Sequence, residues 1–168
     1  TLGEVCEIKY GKDHKKLLEG QIPCYGSGGI MRYVESELYD KPSVLIPRKG
    51  TLSNLFYIDK PFWTVDTLFY TKINNSKIEP RYLYYLLKTY KLEDLNVGSA
   101  VPSLTTAVLN QVQIKIPKDI NEQKAIANVL TVFDDKIELL QQQNQTLETL
   151  AQTIFKEWFG KYQVGDEL

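Results

Sequence analysis

The last third of the chain carries a regular apolar stripe. From residue 126 onward, ten positions recur in steps of four and three, and nine of the ten are apolar. They are Ile126, Leu130, Phe133, Ile137, Leu140, Asn144, Leu147, Ala151, Ile154 and Trp158. No Gly or Pro interrupts residues 119–159. A repeat of 3.5 residues over more than four heptads is the pattern of helices that pair through knobs-into-holes packing. The stripe therefore predicts one long, coiled-coil-forming α-helix over residues 119–160, followed by a tail at 161–168.

This helix is too long to cover its stripe on the rest of the chain. About 38 residues at ~1.5 Å each give a rod of roughly 57 Å. The 118 residues before it predict a domain with a radius of gyration of only ~13–14 Å. Most of the stripe must therefore meet another helix, although a helix folded back on its own domain remains an alternative. Asn144 favours a specific partner, because a buried Asn in a seam selects register and partner number. A place for Asn144 at a wet edge stays open.

The ends of the helix carry local signals. Asn121 is a candidate N-cap, and Glu122 and Gln123 place acidic and hydrogen-bonding groups in the first turn, where they are favoured. Gly160 is a candidate C-terminal stop.

The first 118 residues differ in composition and charge from the last 50. They hold 16 Lys and Arg against 12 Asp and Glu, whereas residues 119–168 hold 4 against 9. Short runs rich in β-branched and aromatic residues alternate with polar turns there. The predicted strands are 5–9, 22–25, 43–47, 55–58, 68–72 and 111–116. Pro80 opens a helix with apolar residues at helical spacing, and residues 106–110 predict a short helical turn. The fold class is therefore predicted as α+β: a mixed globular domain at 1–118 with short strands and few helices, followed by the long helix.

Four loops of this domain combine glycine with basic or hydroxyl side chains. Glycine lets backbone N–H groups approach a ligand, and Lys, Arg, Ser and Thr hold phosphate oxygens. The loops are 11–16, 25–32, 47–51 and 98–106. Arg and Lys can also read guanine in the major groove. Each loop alone is a weak signal, because glycines in turns are common, and a charge balance of +4 over residues 1–118 is a modest footprint for a DNA-binding domain.

Several function classes are disfavoured. No apolar stretch approaches the roughly 18–20 residues of a membrane span, and no secretory signal is visible, which predicts a cytoplasmic protein without a membrane partner. Cys6 and Cys24 lie apart, and His14 is the only histidine. A structural zinc would lack ligands, so no metal site is predicted. His14 lies in a charged run and is predicted to be a surface residue, which leaves no base for a catalytic triad. We expect no catalytic residues and no cofactor.

The order of motifs resembles that of the specificity (S) subunit of type I restriction-modification enzymes, specifically one half of it. Residues that carry the resemblance are 2–5, 25–29, 46–51, 62–67, 98–104 and the junction 114–126. The resemblance implies one target recognition domain plus one spacer helix. It also implies that a full subunit holds two recognition domains at opposite ends of antiparallel spacer helices, each reading part of a split target in double-stranded DNA.

The resemblance further implies partners. The chain would pair with a second half-subunit or a copy of itself, and would dock modification (methyltransferase) subunits and restriction subunits. S-adenosylmethionine, ATP and Mg²⁺ would belong to those partners. An alternative from a different class is a non-catalytic coiled-coil assembly module whose globular part binds a protein or a carbohydrate.

Candidate DNA contacts come from the loops. They are Lys12, Lys15, Lys16, Ser27, Arg32, Arg48, Lys49, Ser99 and Thr105. For the segment 47–51, a scaffold role and a contact role are equally supported. Trp63 and Asp66 are expected to be core and loop-bracing residues rather than readers of bases.

Overall fold

The computed structural model describes residues 1–97 and 102–160. The chain divides into two compact units, one from Thr1 to Ala127 and one that starts at Asn128. The elements are α1 (Leu2–Val5), β1 (Cys6–Tyr10), β2 (Ile22–Gly26), β3 (Gly29–Val34), β4 (Ser43–Pro47), β5 (Phe56–Ile58), β6 (Trp63–Thr64), β7 (Leu68–Ile73), α2 (Pro80–Lys88), a 3-10 turn (Leu92–Leu95), α3 (Thr106–Gln111) and α4 (Ile120–Phe159). The predicted α+β class with a long C-terminal helix is confirmed.

Two sheets form the first unit. The larger has the order β1-β7-β4-β5, and every neighbouring pair is antiparallel. The smaller has the order β3-β2-β6, with β2 and β3 forming an antiparallel hairpin and β6 running parallel to β2. Both faces of the larger sheet are covered, since all five residues of β4 are buried.

Alternation along β4 and β7 divides the core into two layers. Val44, Ile46 and Phe69 join a large cluster that contains the apolar sides of α1, α2 and α3. Leu45 and Leu68 point the other way, into an aromatic-rich cluster. That second cluster also contains Phe62, Tyr25 and Tyr39. The rings of Phe62 and Tyr70 pack edge to face there, with their centroids 6.1 Å apart. The larger sheet is therefore the middle layer of the unit.

Five of the six predicted strands are observed within one residue of their predicted ends. The sixth prediction, a strand at 111–116, is wrong. Gln111 ends α3, and residues 112–117 form no helix or strand and have no ladder partner among the described residues. The alternation of Val112 and Ile114 does turn them toward the main core. The carbonyl of Val112 instead accepts from the Leu2 backbone N–H at 2.9 Å, and that of Gln113 accepts from the Tyr90 hydroxyl at 2.9 Å, so separate bonds rather than a ladder hold the segment.

The start of α4 lies within the first unit. Asp119, and not the predicted Asn121, caps it: the Asp119 carboxylate accepts from the Asn121 backbone N–H at 2.9 Å. Gln123 and Ala127 are buried. The Gln123 amide donates to the carbonyls of Pro117 (2.8 Å) and Lys77 (3.3 Å) and accepts from the Glu79 N–H (2.9 Å). The compact unit thus includes two helical turns beyond the boundary predicted at residue 118.

From Asn128 to Gly160, every described residue but two is exposed. The stripe residues of this unit are exposed, with Phe133 at 63% and Leu147 at 61% of their accessible surface. The exposed apolar surface of α4 is also wider than the predicted stripe. Apolar residues outside the stripe are exposed too, namely Val129, Val132, Leu139, Leu150, Phe155 and Phe159. The helix ends at Phe159, directly before Gly160, as predicted.

Candidate nucleic-acid interface

The candidate site forms where three strands of the larger sheet end or begin. Tyr10 pairs with Phe69, and Pro47 pairs with Leu68. Because these pairs are antiparallel, the loops that follow β1 and β4 emerge beside the turn that precedes β7. The parallel pairing of Tyr25 with Thr64 places the β2–β3 turn beside the same segment.

Backbone hydrogen bonds join these loops. Lys12 N–H donates to Thr64 O at 2.8 Å, and Gly11 N–H donates to Leu68 O at 3.1 Å. Arg48 N–H donates to Thr67 O at 2.8 Å. These bonds fix the loop at 11–16 and the loop after β4 to the turn at 65–67.

The segment before α3 joins the same group. Arg48 O accepts from Leu104 N–H at 2.9 Å, and Gly50 N–H donates to Pro102 O at 3.2 Å. The Asn54 side-chain amide donates to Ser27 O at 2.7 Å, which ties the β2–β3 turn to the loop after β4. We call this group the loop surface: residues 11–16, 26–29, 48–54, 65–67 and 102–105.

Positive charge on the loop surface lacks partners within the described chain. Lys12, Lys15, Lys16 and Lys49 are exposed, and none of them makes an ion pair with any residue of 1–97 or 102–160. Arg48 is half-buried, and its guanidinium lies 5.6 Å from the centroid of the Tyr10 ring. This cation–π contact restricts the rotamers of Arg48. Four exposed ammonium groups and one guanidinium oriented by an aromatic ring thus share the surface.

A cavity of about 740 Å³ opens on the loop surface. Its lining includes His14, Lys15, Ser27, Gly28 and Asp66. His14 is half-buried and its Nδ1 is shielded from solvent with no hydrogen-bond partner in the described part of the chain. The prediction of a solvated surface histidine therefore holds only in part, since His14 lines the cavity together with residues of the β2–β3 turn and its Nδ1 is buried.

The other candidate contacts are placed less uniformly. Ser27 lies in the β2–β3 turn. Thr105 lies at the edge of the loop surface, where its hydroxyl accepts from the Val108 N–H and caps α3. Arg32 lies on β3, and its guanidinium donates to Leu17 O at 3.2 Å, which gives it a bracing contact. Ser99 lies outside the described residues.

Trp63 and Asp66 have different environments. The Trp63 indole N–H donates to Lys12 O at 3.1 Å, so Trp63 braces the loop at 11–16 as expected. Asp66 is exposed, and its carboxylate makes no hydrogen bond or ion pair with the residues that the structure describes. The expectation that Asp66 braces a loop is wrong. The nearby Asp13 carboxylate differs, because the Lys15 backbone N–H bonds to it at 3.0 Å and lowers its pKa.

Asn54 is a site residue that the sequence pattern did not reveal. It follows the glycine of the loop after β4 by four residues, and nothing in its spacing distinguishes it from an ordinary turn asparagine. Its role depends on its bond to Ser27, which is 27 positions away. Tyr10 was likewise missed, since only the folded sheet brings its ring beside Arg48.

Other chemistry is limited in the described ranges. Across residues 1–97 and 102–160, no group of three or more His, Cys, Asp or Glu side chains could hold a metal ion. Both cysteines are buried and unpaired, and burial raises the pKa of the Cys6 thiol to about 12. None of the described helices combines the length and apolar character that crossing a bilayer requires.

Comparison with known proteins reveals relationships in both sequence and fold. The type I restriction enzyme MjaIX specificity subunit of Methanocaldococcus jannaschii is 34% identical over 126 residues, which are 73% of this chain and 29% of the relative. The HindI specificity subunit of Haemophilus influenzae is 35% identical over 92 residues, 51% of this chain and 20% of the relative. This chain thus spans less than a third of each.

The fold has also been observed in a crystal structure. The S subunit of a type I restriction-modification system from M. genitalium superposes with a TM-score of 0.82 at 22% identity. The match covers 95% of this chain and 45% of that one, so the two share a fold. Residues 1–149 match the family model described as "Type I restriction modification DNA specificity domain". On this evidence the chain belongs to the family of type I restriction-modification DNA specificity domains.

Proposed function

We propose that this chain reads one half of a bipartite DNA target for a type I restriction-modification system and performs no chemistry itself. The observation that carries the proposal is the convergence of five loop segments on one surface with Lys12, Lys15, Lys16, Arg48 and Lys49. Double-stranded DNA is the polyanion that such a surface fits, because each ammonium can neutralise a phosphate and release its counterions.

The five cations have two roles: the lysines contact phosphates, and Arg48 contacts a base. The exposed lysines have freedom to follow phosphates, which position the protein but carry no sequence information. Arg48 is oriented by Tyr10, and an oriented guanidinium fits the O6 and N7 acceptors of guanine in the major groove. Ser27 and Ser99 would add hydrogen bonds near the glycines. Arg32 and Thr105 would act mainly by holding the backbone at Leu17 and the start of α3 in place.

The exposed stripe on α4 supports pairing with another helix. We propose that the partner is the spacer helix of a second half-subunit or of a second copy of this chain, packed antiparallel. Two recognition surfaces held on such a rod would engage DNA segments about one helical turn apart, roughly 34–36 Å. Apolar residues outside the stripe, such as Leu139 and Leu150, remain available to modification subunits.

The wider assembly is inferred from the family. Modification subunits would methylate the target, and restriction subunits would complete the assembly for cleavage in the cytoplasm. S-adenosylmethionine, ATP and Mg²⁺ would be bound by those subunits. This chain would supply sequence choice and spacing.

The proposal is tested with the full chain and its modification subunits. A pool of duplexes with randomised bases is offered, and the bound fraction is sequenced at two salt concentrations. We expect one half-site to be enriched and the affinity to fall steeply as salt rises. Binding that depends on neither sequence nor salt would refute it. Capture of a peptide or glycan by the first unit, without duplex binding, would support the alternative of a coiled-coil assembly module.

A further inference from the structure

Asp66 is a feature of the loop surface that phosphate binding does not explain. The Leu68 N–H donates to Val65 O at 3.1 Å and closes a turn with Asp66 at its tip. The carboxylate is exposed and lines the 740 Å³ cavity. Among residues 1–97 and 102–160, no hydrogen bond or ion pair involves this carboxylate, so no described contact gives it a structural role.

A carboxylate in this place opposes phosphate binding. Lys15 lines the same cavity, and the backbone of Arg48 is bonded to Thr67, the residue after Asp66. Phosphate oxygens are repelled by a carboxylate and cannot donate hydrogen bonds to it. In the major groove, base edges present only two donors, the N4 amino group of cytosine and the N6 amino group of adenine. A carboxylate that a protein surface presents to the major groove is therefore matched by the exocyclic amino group of cytosine or adenine.

Gly28 provides a second, independent observation at the same cavity. A Cβ built at Gly28 would have no atom within 4 Å, and its φ is not positive. Neither the backbone conformation of Gly28 nor packing against the described residues requires glycine there. Gly29 is different, since its φ of 115° alone accounts for a glycine. The bare backbone at Gly28 leaves room beside Asp66 for another molecule to approach closely.

We infer that Asp66 is a specificity-determining residue that accepts a hydrogen bond from the exocyclic amino group of one cytosine or adenine, with Gly28 allowing the base edge to reach it. The inference rests on the proposed DNA-reading function and assigns a donor-bearing base to one position of the half-site.

The test compares Asp66→Ala with wild type, each as the full chain with its modification subunits. Asp40→Asn is the matched control, because Asp40 is exposed in the same unit but does not line the cavity. We expect Asp66→Ala to lower affinity for the preferred duplex roughly five- to 150-fold and to abolish the base preference at one position. The control should keep both. Wild type bound to a duplex with purine for adenine, or pyrimidin-2-one for cytosine, should show the same loss and so identify the base.

The opposite outcome has a distinct signature. If Asp66 only opposes phosphates, removing its charge will tighten binding to all duplexes and leave the preference unchanged, which would overturn the inference. Unchanged binding would overturn it as well. Asp66→Asn keeps the shape of the side chain and carries the test should the alanine variant fail to fold.

Gly28→Ala tests the close approach. We expect an unchanged thermal midpoint and at least fivefold weaker binding, because the new methyl group meets no protein atom. If Gly28→Ala binds with wild-type affinity, the proposed close approach of a base edge to Gly28 is contradicted. If wild type itself selects no sequence, the proposed function fails; if wild type selects and Asp66→Ala selects identically, only the inference fails.

Discussion

Replacing Gln123 with Leu should destabilise the first unit by about 3 kcal/mol. Gln123 is fully buried, and its amide makes three hydrogen bonds, to Pro117 O, Lys77 O and the Glu79 N–H. Leucine fills a similar volume, so no large cavity forms. Each lost bond costs about 1 kcal/mol net, and more where the abandoned backbone group stays dry. The sum is a large fraction of the ~5–15 kcal/mol that stabilises a typical domain.

The assay is urea unfolding followed by Trp63 fluorescence in a Trp158→Phe background, so that only the first unit is observed. With an m-value of ~2 kcal/mol per molar urea, the midpoint should fall by roughly 1.5 M. Lys124→Leu introduces the same side chain at the exposed neighbouring position and should change stability by less than about 0.5 kcal/mol. If Gln123→Leu also stays within that limit, the three hydrogen bonds do not hold the start of α4 in place.

Gln123→Glu extends the argument to pH. The carboxylate could still accept from the Glu79 N–H, but it would face two carbonyls without a donor. Burial would raise its folded-state pKa above the unfolded value. The variant should therefore lose stability as the pH rises from the unfolded-state pKa of the introduced carboxyl group toward its higher folded-state pKa, and should recover stability at low pH. A flat difference from wild type between pH 4 and pH 8 would contradict this.

Three further predictions concern charge, pairing and thiol reactivity. Lys16→Ala should weaken binding to all duplexes alike and reduce the salt slope by about one, measured by anisotropy titration, whereas Lys60→Ala should not. Leu140→Asp together with Leu147→Asp should turn paired chains into single chains in sedimentation, with the first unit still folded. Cys6, whose pKa is raised to about 12 by burial, should resist thiol reagents at pH 8 until the protein is denatured. Rapid labelling of the native protein, or an unchanged mass of the double variant, would refute the respective prediction.

The sequence predicted elements where one local signal was sufficient. The 3.5-residue stripe placed α4, and Pro80 placed α2, whose cap is the Glu79 side chain bonded to the Tyr82 N–H. The prediction from sequence failed where pairing with a distant segment determines whether a strand forms. Residues 111–116 alternate like a strand but form no ladder with any part of the chain that the structure describes. The missed strand β3 exists because Gly26 and Gly29 close a hairpin, which was interpreted only as a ligand loop.

The sequence predicted several residues of the candidate site, but it did not predict that the fold brings them together on one surface. Lys12, Arg48 and Ser27 were identified from separate loops, and only the register of β1, β4 and β7 brings those loops together. The environments of His14 and Asp66 differ from the predictions. A charged run suggested a solvated histidine, yet His14 is half-buried with its Nδ1 shielded from solvent, while Asp66 has no bracing contact among the described residues. Both environments depend on residues distant in sequence.

The hydrogen bonds that fasten the loop surface come mostly from the main chain. Lys12, Arg48, Gly50 and Leu104 all use backbone atoms for them. Apart from Asn54, whose side chain ties two of the loops together, side chains on these loops can therefore be exchanged without loosening the attachments that hold the loops in position. Under the proposed function, a scaffold of this kind lets the preferred DNA sequence change by single substitutions while the backbone framework keeps its shape, so new specificities need no new architecture.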